Sequence, residues 1–201
     1  YGTSSMQREH VWPQSKASYF QLHGGADLHH LRPSIGGVNQ SKSNRAFADL
    51  IGTDTAYSSY QVDGQDVIWN GTKSFDSVLE VRDNVKGDVA RILLYMYVRW
   101  QQPNLYSDVA SANLPAFDSD DKSNSGVRVI EDRATLLRWC KLDPVDTWEM
   151  ERNDLVQTVQ GNRNVFIDYP ELAWYLFGLT PPSDMQTPSG DAAASSGETA
   201  T

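Results

Sequence analysis

Val89, Ile92, Leu93, Met96, Tyr97 and Trp100 recur at steps of three and four between residues 85 and 100, the spacing of one helix face. An apolar stripe of that length has to be covered, so the rest of the chain is constrained to pack around a central core helix. The first quarter has a different character. Val11 and Trp12 precede Pro13, which disfavours helix in the residue before it, and Gly24-Gly25 and Gly36-Gly37 punctuate turns around Asp27 to Pro33. Residues 9 to 50 therefore read as strand, turn-rich loop, short second strand and helix, with Asn39 in the first turn of that helix. Extended elements first and helices later give an α+β class.

Between Ile51 and Leu79 the signals are strand and turn. Tyr60-Gln61-Val62 and Val67-Ile68-Trp69 flank Asp63-Gly64-Gln65-Asp66, and Asn70-Gly71 is a tight-turn dipeptide, so a small peripheral hairpin is expected. Residues 101–128, with Pro103, Pro115 and a polar run, read as an exposed loop. Asp132 is expected to cap a helix through Leu136, Leu137 and Cys140. Asp143-Pro144 is expected to start another that ends at Gly161, and a last helix runs from Asp168 to Gly178. Beyond Thr180 the chain turns to Pro, Ser, Thr, Ala and Gly. Residues 1–180 are thus read as one domain and 181–201 as a disordered tail or linker.

No apolar run approaches the roughly 18 to 20 residues that a membrane span needs. The opening Tyr-Gly-Thr-Ser-Ser-Met lacks the charged start and apolar stretch of a leader, which is expected to have been removed. The lone Cys140 cannot form an internal disulfide. Net charge is −9, but residues 1–45 hold five Lys/Arg against two acids, summing to +3, while the remainder sums to −12. A locally basic cleft on an acidic body is the expectation, with salt-sensitive affinity for a polyanion.

Three ordered blocks carry the chemistry: Arg8-Glu9-His10-Val11-Trp12-Pro13-Gln14-Ser15, Asp27-Leu28-His29-His30-Leu31-Arg32-Pro33, and Val38-Asn39-Gln40-Ser41-Lys42-Ser43-Asn44-Arg45. A carboxylate, an imidazole and an amide are what a single-metal phosphodiesterase needs: oxygen ligands for a hard cation and a base for water. Later segments join them: Lys86-Gly87-Asp88-Val89-Ala90-Arg91, Asp143-Pro144-Val145-Asp146, Arg152-Asn153-Asp154 and Gln160-Gly161-Asn162-Arg163-Asn164. Together, in this order, they resemble the endonuclease I family of secreted and periplasmic bacterial nucleases, which share the ββα-metal (His-Me finger) active site. The resemblance implies an α+β fold with a ββα-metal core, additional helices and the small hairpin.

It also implies roles. Glu9 and Asn39 would hold one divalent ion, Mg²⁺ with Mn²⁺ or Ca²⁺ as alternatives, and His10 would be the general base. Asp27, His29, His30 and Asn44 would be structural parts of the motif. A zinc reading of His29-His30 with His23 lacks the further Cys or His ligands such sites use. Arg32, Lys42, Arg45 and Arg163 are candidates for gripping substrate phosphate, because guanidinium binds phosphate oxygens in a fork, while Arg91 reads as an internal ion-pair partner. Some family members carry a long insertion between the first two blocks; here the connection is short, and Gly25 stands where they have a glutamate.

The resemblance thus implies a secreted or periplasmic, metal-dependent, largely nonspecific endonuclease. It would cut DNA and also RNA to 5′-phosphate and 3′-hydroxyl ends, acting as a monomer away from membranes. The rival readings are a noncatalytic nucleic-acid-binding module of the same fold and a phosphodiesterase for a small phosphate ester.

Overall fold

The computed structural model of the chain describes residues 5–16, 24–50, 55–73, 76–100, 130 and 133–188. The loop expected over 101–128, the cap expected at Asp132, His23 and the last part of the expected tail lie outside these residues.

Strands β1 (Met6–His10) and β2 (Leu31–Ile35) pair antiparallel, with Glu9 opposite Arg32 and His10 opposite Leu31. Between them, short 3-10 turns cover Gln14–Lys16 and Gly24–Ala26. The chain runs from β2 straight into α1 (Gly36–Lys42), tied back to the start of β1 by Gly36 N–H donating to Ser5 O at 2.8 Å. Gly37 permits a close approach: a Cβ there would lie 2.0 Å from the Tyr60 hydroxyl. Helix α1 is thereby pressed against the second sheet.

That sheet contains β3 (Ala46–Phe47), β4 (Thr55–Val62), β5 (Gln65–Lys73) and β6 (Asp76–Val81) in the order β3-β6-β5-β4, with β3 parallel to β6 and the other pairs antiparallel. The sequence led us to expect only a peripheral hairpin. Instead Ile68, Val78, Leu79 and Val81 are buried, and Ile68, Leu79 and Val81 belong to the main core. The hairpin turn falls at Asp63-Gly64, where both residues have positive φ (51° and 78°) and Val62 pairs with Gln65. Asn70-Gly71, expected as a turn, lies within β5. Pairing to β4 on one side and β6 on the other overrides the local turn preference, and Asn70 Nδ2 donates to Ser41 Oγ at 2.6 Å.

Helix α2 (Lys86–Trp100) is the core helix, and it is buried more widely than its 3,4 stripe requires: Ala90, Arg91, Leu94 and Tyr95 are also shielded. Around it pack Trp12, Phe47, Leu79, and residues of α3 (Arg133–Leu142) such as Leu136 and Trp139. Arg91 survives in that interior because Glu149 takes its Nε at 2.9 Å and its Nη2, while Asp143 O accepts from Nη1 at 2.8 Å. Lys86 reaches Asp49 (3.1 Å), Glu80 (2.7 Å) and Asp83 (2.8 Å), clamping the start of α2 to the sheet.

Helix α4 (Thr147–Gln160) is capped by Asp146, whose side chain accepts from Glu149 N, and it stops at Gly161 with φ 86°. The expected cap, Asp143, does another job: its carboxylate accepts from Gly87 N at 2.9 Å, in the first turn of α2. The last helical stretch is divided into α5 (Val165–Asp168) and α6 (Leu172–Tyr175). Packing continues past the domain boundary expected at residue 180. Met185 is buried in the main core and Asp184 pairs with Lys141 at 2.8 Å, a single apolar side chain in a polar run being too weak a signal to read.

Candidate active site

Glu9 and His10 close β1, and Asn39 sits in α1, so the strand pairing and the tight β2-to-α1 junction bring the three together. With Gln14, Lys42, Ser43 and Asn44 they line an open pocket of about 350 Å³.

His10 Nε2 lies 3.0 Å from Gly25 O, and the Gln14 side-chain amide stands 2.7 Å from the same nitrogen. A carbonyl can only accept, so with this bond made Nε2 carries the proton and Nδ1 the basic lone pair; the Gln14 amide nitrogen cannot donate to a protonated Nε2, so this tautomer has the Gln14 amide turned with its oxygen toward the ring. Partial burial pulls the His10 pKa below its ordinary value, which keeps the ring neutral and able to accept. His30 packs edge-on against it, ring centroids 5.3 Å apart, and is held by Gly24 O at 3.1 Å. Burial drives the His30 pKa down to about 3, so it adds bulk and no charge.

Glu9 is 8% exposed. Its Oε1 is buried and receives no well-directed hydrogen bond; the Lys42 ammonium, 2.5 Å away, balances its charge. Burial raises the Glu9 pKa, with the Lys42 charge pulling the other way. Lys42 also donates to His10 O at 3.0 Å. The Asn39 amide nitrogen donates to Gln7 Oε1 at 3.2 Å and to Arg8 O at 3.3 Å, which leaves its carbonyl oxygen as the acceptor end. A dehydrated carboxylate oxygen and an oriented amide oxygen fit a hard divalent cation that retains much of its water. Among the described residues no three His, Cys, Asp or Glu side chains gather around a common point for a metal.

Asp27 lies behind the pocket as a hub. Its carboxylate accepts from Tyr95 OH (2.7 Å), Trp100 Nε1 (2.8 Å), His29 N (2.9 Å) and Gln160 Nε2 (3.0 Å). Burial alone would raise its pKa, but these donors outweigh it and hold the carboxyl low. The turn that presents Gly24 O and Gly25 O is therefore fixed to α2 and to the end of α4. His29 Nε2 is 3.0 Å from Asn162 O, and Asn44 reaches Ser15 Oγ at 3.5 Å.

The four basic candidates part company. Lys42 alone lines the pocket. Arg45 donates to Ser77 Oγ at 2.9 Å and to Ser41 O. Arg163 is taken up by Asp154 and Asp168, each at 2.6 Å. Arg32 turns toward α4, with its Cζ 5.6 Å from the Trp148 ring centroid. Gln7 and Gln14 also touch the site residues, although nothing in their residue type marks them in the sequence. The usable signal was position: Gln7 is two residues before Glu9 and Gln14 four after His10.

The profile of the Endonuclease I family matches residues 2–171. The chain is 39% identical over 170 residues to an extracellular ribonuclease of Bacillus subtilis (strain 168), covering 83% of this chain and 52% of the relative. An extracellular ribonuclease of Bacillus amyloliquefaciens is 38% identical over the same shares. A periplasmic deoxyribonuclease of Aeromonas hydrophila is 28% identical over 145 residues, 71% of this chain and 47% of that protein. The chain spans about half the length of these curated relatives. The matched span covers most of the chain and includes the pocket residues, Asp27 and α4, so this chain belongs to the Endonuclease I family.

Proposed function

We propose that the protein is a metal-dependent, largely sequence-nonspecific endonuclease of the ββα-metal type, working as a monomer outside the cytoplasm. The observation that carries this reading is the hydrogen bond between His10 Nε2 and Gly25 O in the pocket shared with Glu9 and Asn39. It leaves Nδ1 to take a proton from the attacking water, with the ring oriented by a backbone carbonyl that cannot itself titrate. Glu9 and Asn39 would hold the ion, Mg²⁺ in this reading, which when bound supplies charge neutralisation at the phosphate and the leaving 3′ oxygen. Asp27 and His30 hold the turn behind His10, and Asn44 closes the pocket rim. Lys42, the one basic candidate that lines the pocket, would act on the substrate side only when a bound ion takes over the Glu9 carboxylate that it otherwise neutralises.

Relatives of higher identity are named ribonucleases and one of lower identity a deoxyribonuclease, so RNA and DNA are both substrates under this proposal. Their names also carry the words extracellular or periplasmic, and no helix among the described residues is long and apolar enough to cross a membrane. The test is cleavage of supercoiled plasmid and of folded RNA with Mg²⁺, with EDTA, and by His10→Ala. Cleavage of either polymer that stops in both controls supports the proposal. A protein that binds nucleic acid and cuts neither polymer at any metal concentration would be a binding module instead.

A further inference from the structure

Away from the pocket, two guanidiniums meet beside an exposed indole. Arg32 Nη1 donates to His29 O and Leu31 O, each at 3.1 Å, and Arg152 Nη2 donates to Leu28 O (2.6 Å) and to the same Leu31 O (2.9 Å). Both Cζ atoms lie near the Trp148 ring, at 5.6 and 6.0 Å from its centroid. Among the described residues neither guanidinium has a carboxylate within ion-pair distance. The carboxylates whose charge reaches Arg32, those of Asp88 and Glu149, both pair with Arg91 instead. Arg152 Nε is buried and has no hydrogen-bond partner. Like charges held this close repel, and the repulsion is relieved by an anion shared between them. Trp148 remains 51% exposed although it is one of the largest apolar side chains of the protein.

Position gives the cluster a purpose. Arg32 is the cross-strand partner of Glu9, so the cluster is rooted one strand from the cleavage pocket. Neighbouring strands are about 4.8 Å apart, which puts both within reach of one nucleic-acid strand. We propose that Arg32, Arg152 and Trp148 form a nucleotide subsite outside the cleavage pocket, the guanidiniums taking a backbone phosphate and the indole stacking against an unpaired base. The inference rests on the nuclease reading above and deepens it. A stacking platform favours single-stranded or locally opened substrate, and stacking tolerates any base, in keeping with nonspecific cleavage.

The experiment is binding of a fluorescein-labelled single-stranded 12-mer, as DNA and as RNA, in EDTA so that nothing is cut. Trp148→Ala is expected to weaken binding about tenfold, and Trp148→Phe to restore most of it. Arg32→Gln is expected to lower the slope of log affinity against log salt by about 0.7. A 5-iodouracil oligonucleotide irradiated with the unaltered protein is expected to cross-link at Trp148, a readout that does not depend on any variant folding. Equal affinities for the variants together with cross-links only elsewhere would overturn the subsite while leaving the nuclease reading intact. Failure of the unaltered protein to bind the oligonucleotide at low salt, or to cut any polymer, would remove both.

Discussion

Lys42 Nζ stands 2.5 Å from Glu9 Oε1, with both side chains almost wholly shielded from water. One charge accounts for the burial of the other, and removing one partner of such a pair costs about 3–5 kcal/mol because the remaining charge is stranded. Lys42→Met is therefore expected to lower stability by about 3 kcal/mol, the low end, since protonation of Glu9 relieves part of the penalty. Calorimetric melting in EDTA and in Mg²⁺ reads this, and Mg²⁺ should recover part of the loss. A melting temperature equal to that of the unaltered protein in EDTA would contradict it.

Asp27 satisfies four donors drawn from α2, from the end of α4 and from its own turn. Asp27→Ala leaves them unpaired in a buried place, a loss of roughly 3–5 kcal/mol. Activity should drop further than the unfolded fraction explains, because the turn carrying Gly25 O loses its anchor. Urea unfolding together with cleavage rates in the folded baseline tests both parts.

Acid should destabilise the fold through His30. Its folded pKa of about 3 lies far below the ordinary value of 6.5, so between these limits the unfolded chain binds a proton that the folded one refuses. The His30 contribution is complete above pH 6.5 and is lost by about 1.4 kcal/mol for each unit below it, while buried carboxyls pushed upward, Asp88 to about 7 and Glu9 and Asp143 in the same direction, bind protons in the folded state and pull the other way. His10 and His29, also lowered by burial, act in the same direction as His30. Asp27, whose carboxyl is held low, adds its own loss only below the ordinary carboxylate range. Urea midpoints at pH 7.0 and 5.5 for the unaltered protein and for His30→Gln isolate this contribution: the unaltered protein should lose more stability between the two pH values, or gain less, than the variant.

Gly87→Ala should be poorly tolerated, since the added carbon would lie 1.9 Å from Asp143 O, a backbone atom that cannot swing aside. A cost of about 3 kcal/mol is expected from such overpacking. At roughly 2–4 °C per kcal/mol for a chain of this size, the melting temperature would fall by about 10 °C. Gly64→Ala meets no atom within 4 Å and serves as the comparison, its penalty coming only from positive φ.

Local signals were readable where local chemistry decides. The stripe from Val89 to Trp100 announced α2, Gly161 marked the end of α4, and the Gly-Pro punctuation bracketed β1, β2 and α1. What escaped was settled by long-range partners. Asn70-Gly71 has a turn's composition and a strand's neighbours on both sides. Asp143 precedes a proline, as a cap would, yet its carboxylate is claimed by Gly87, 56 residues away in sequence. In the site, Glu9, His10 and Asn39 are singled out by their place in blocks that resemble the family, Asn39 alone reading no differently from a helix cap, and all three line one pocket. The tautomer-fixing carbonyl of Gly25 could not be foreseen, because every residue has a carbonyl and only folding selects one. Arg163 and Arg32 illustrate the same limit for charges, since a guanidinium reads alike in sequence whether acids or an indole await it.

The two hydrogen bonds from Asn39 Nδ2 to Gln7 Oε1 and Arg8 O bear on how a cation would arrive. An unrestrained amide swaps its oxygen and nitrogen ends by rotating about its last side-chain torsion, and a cation meets the wrong end half the time. Gln7 could turn its own amide to match a flip, but the Arg8 carbonyl can only accept, so it is this backbone oxygen that holds the Asn39 nitrogen toward it and leaves the Asn39 oxygen facing away before any ion is present. If Asn39 is a ligand as proposed, capture of an ion would require no reorientation of this side chain.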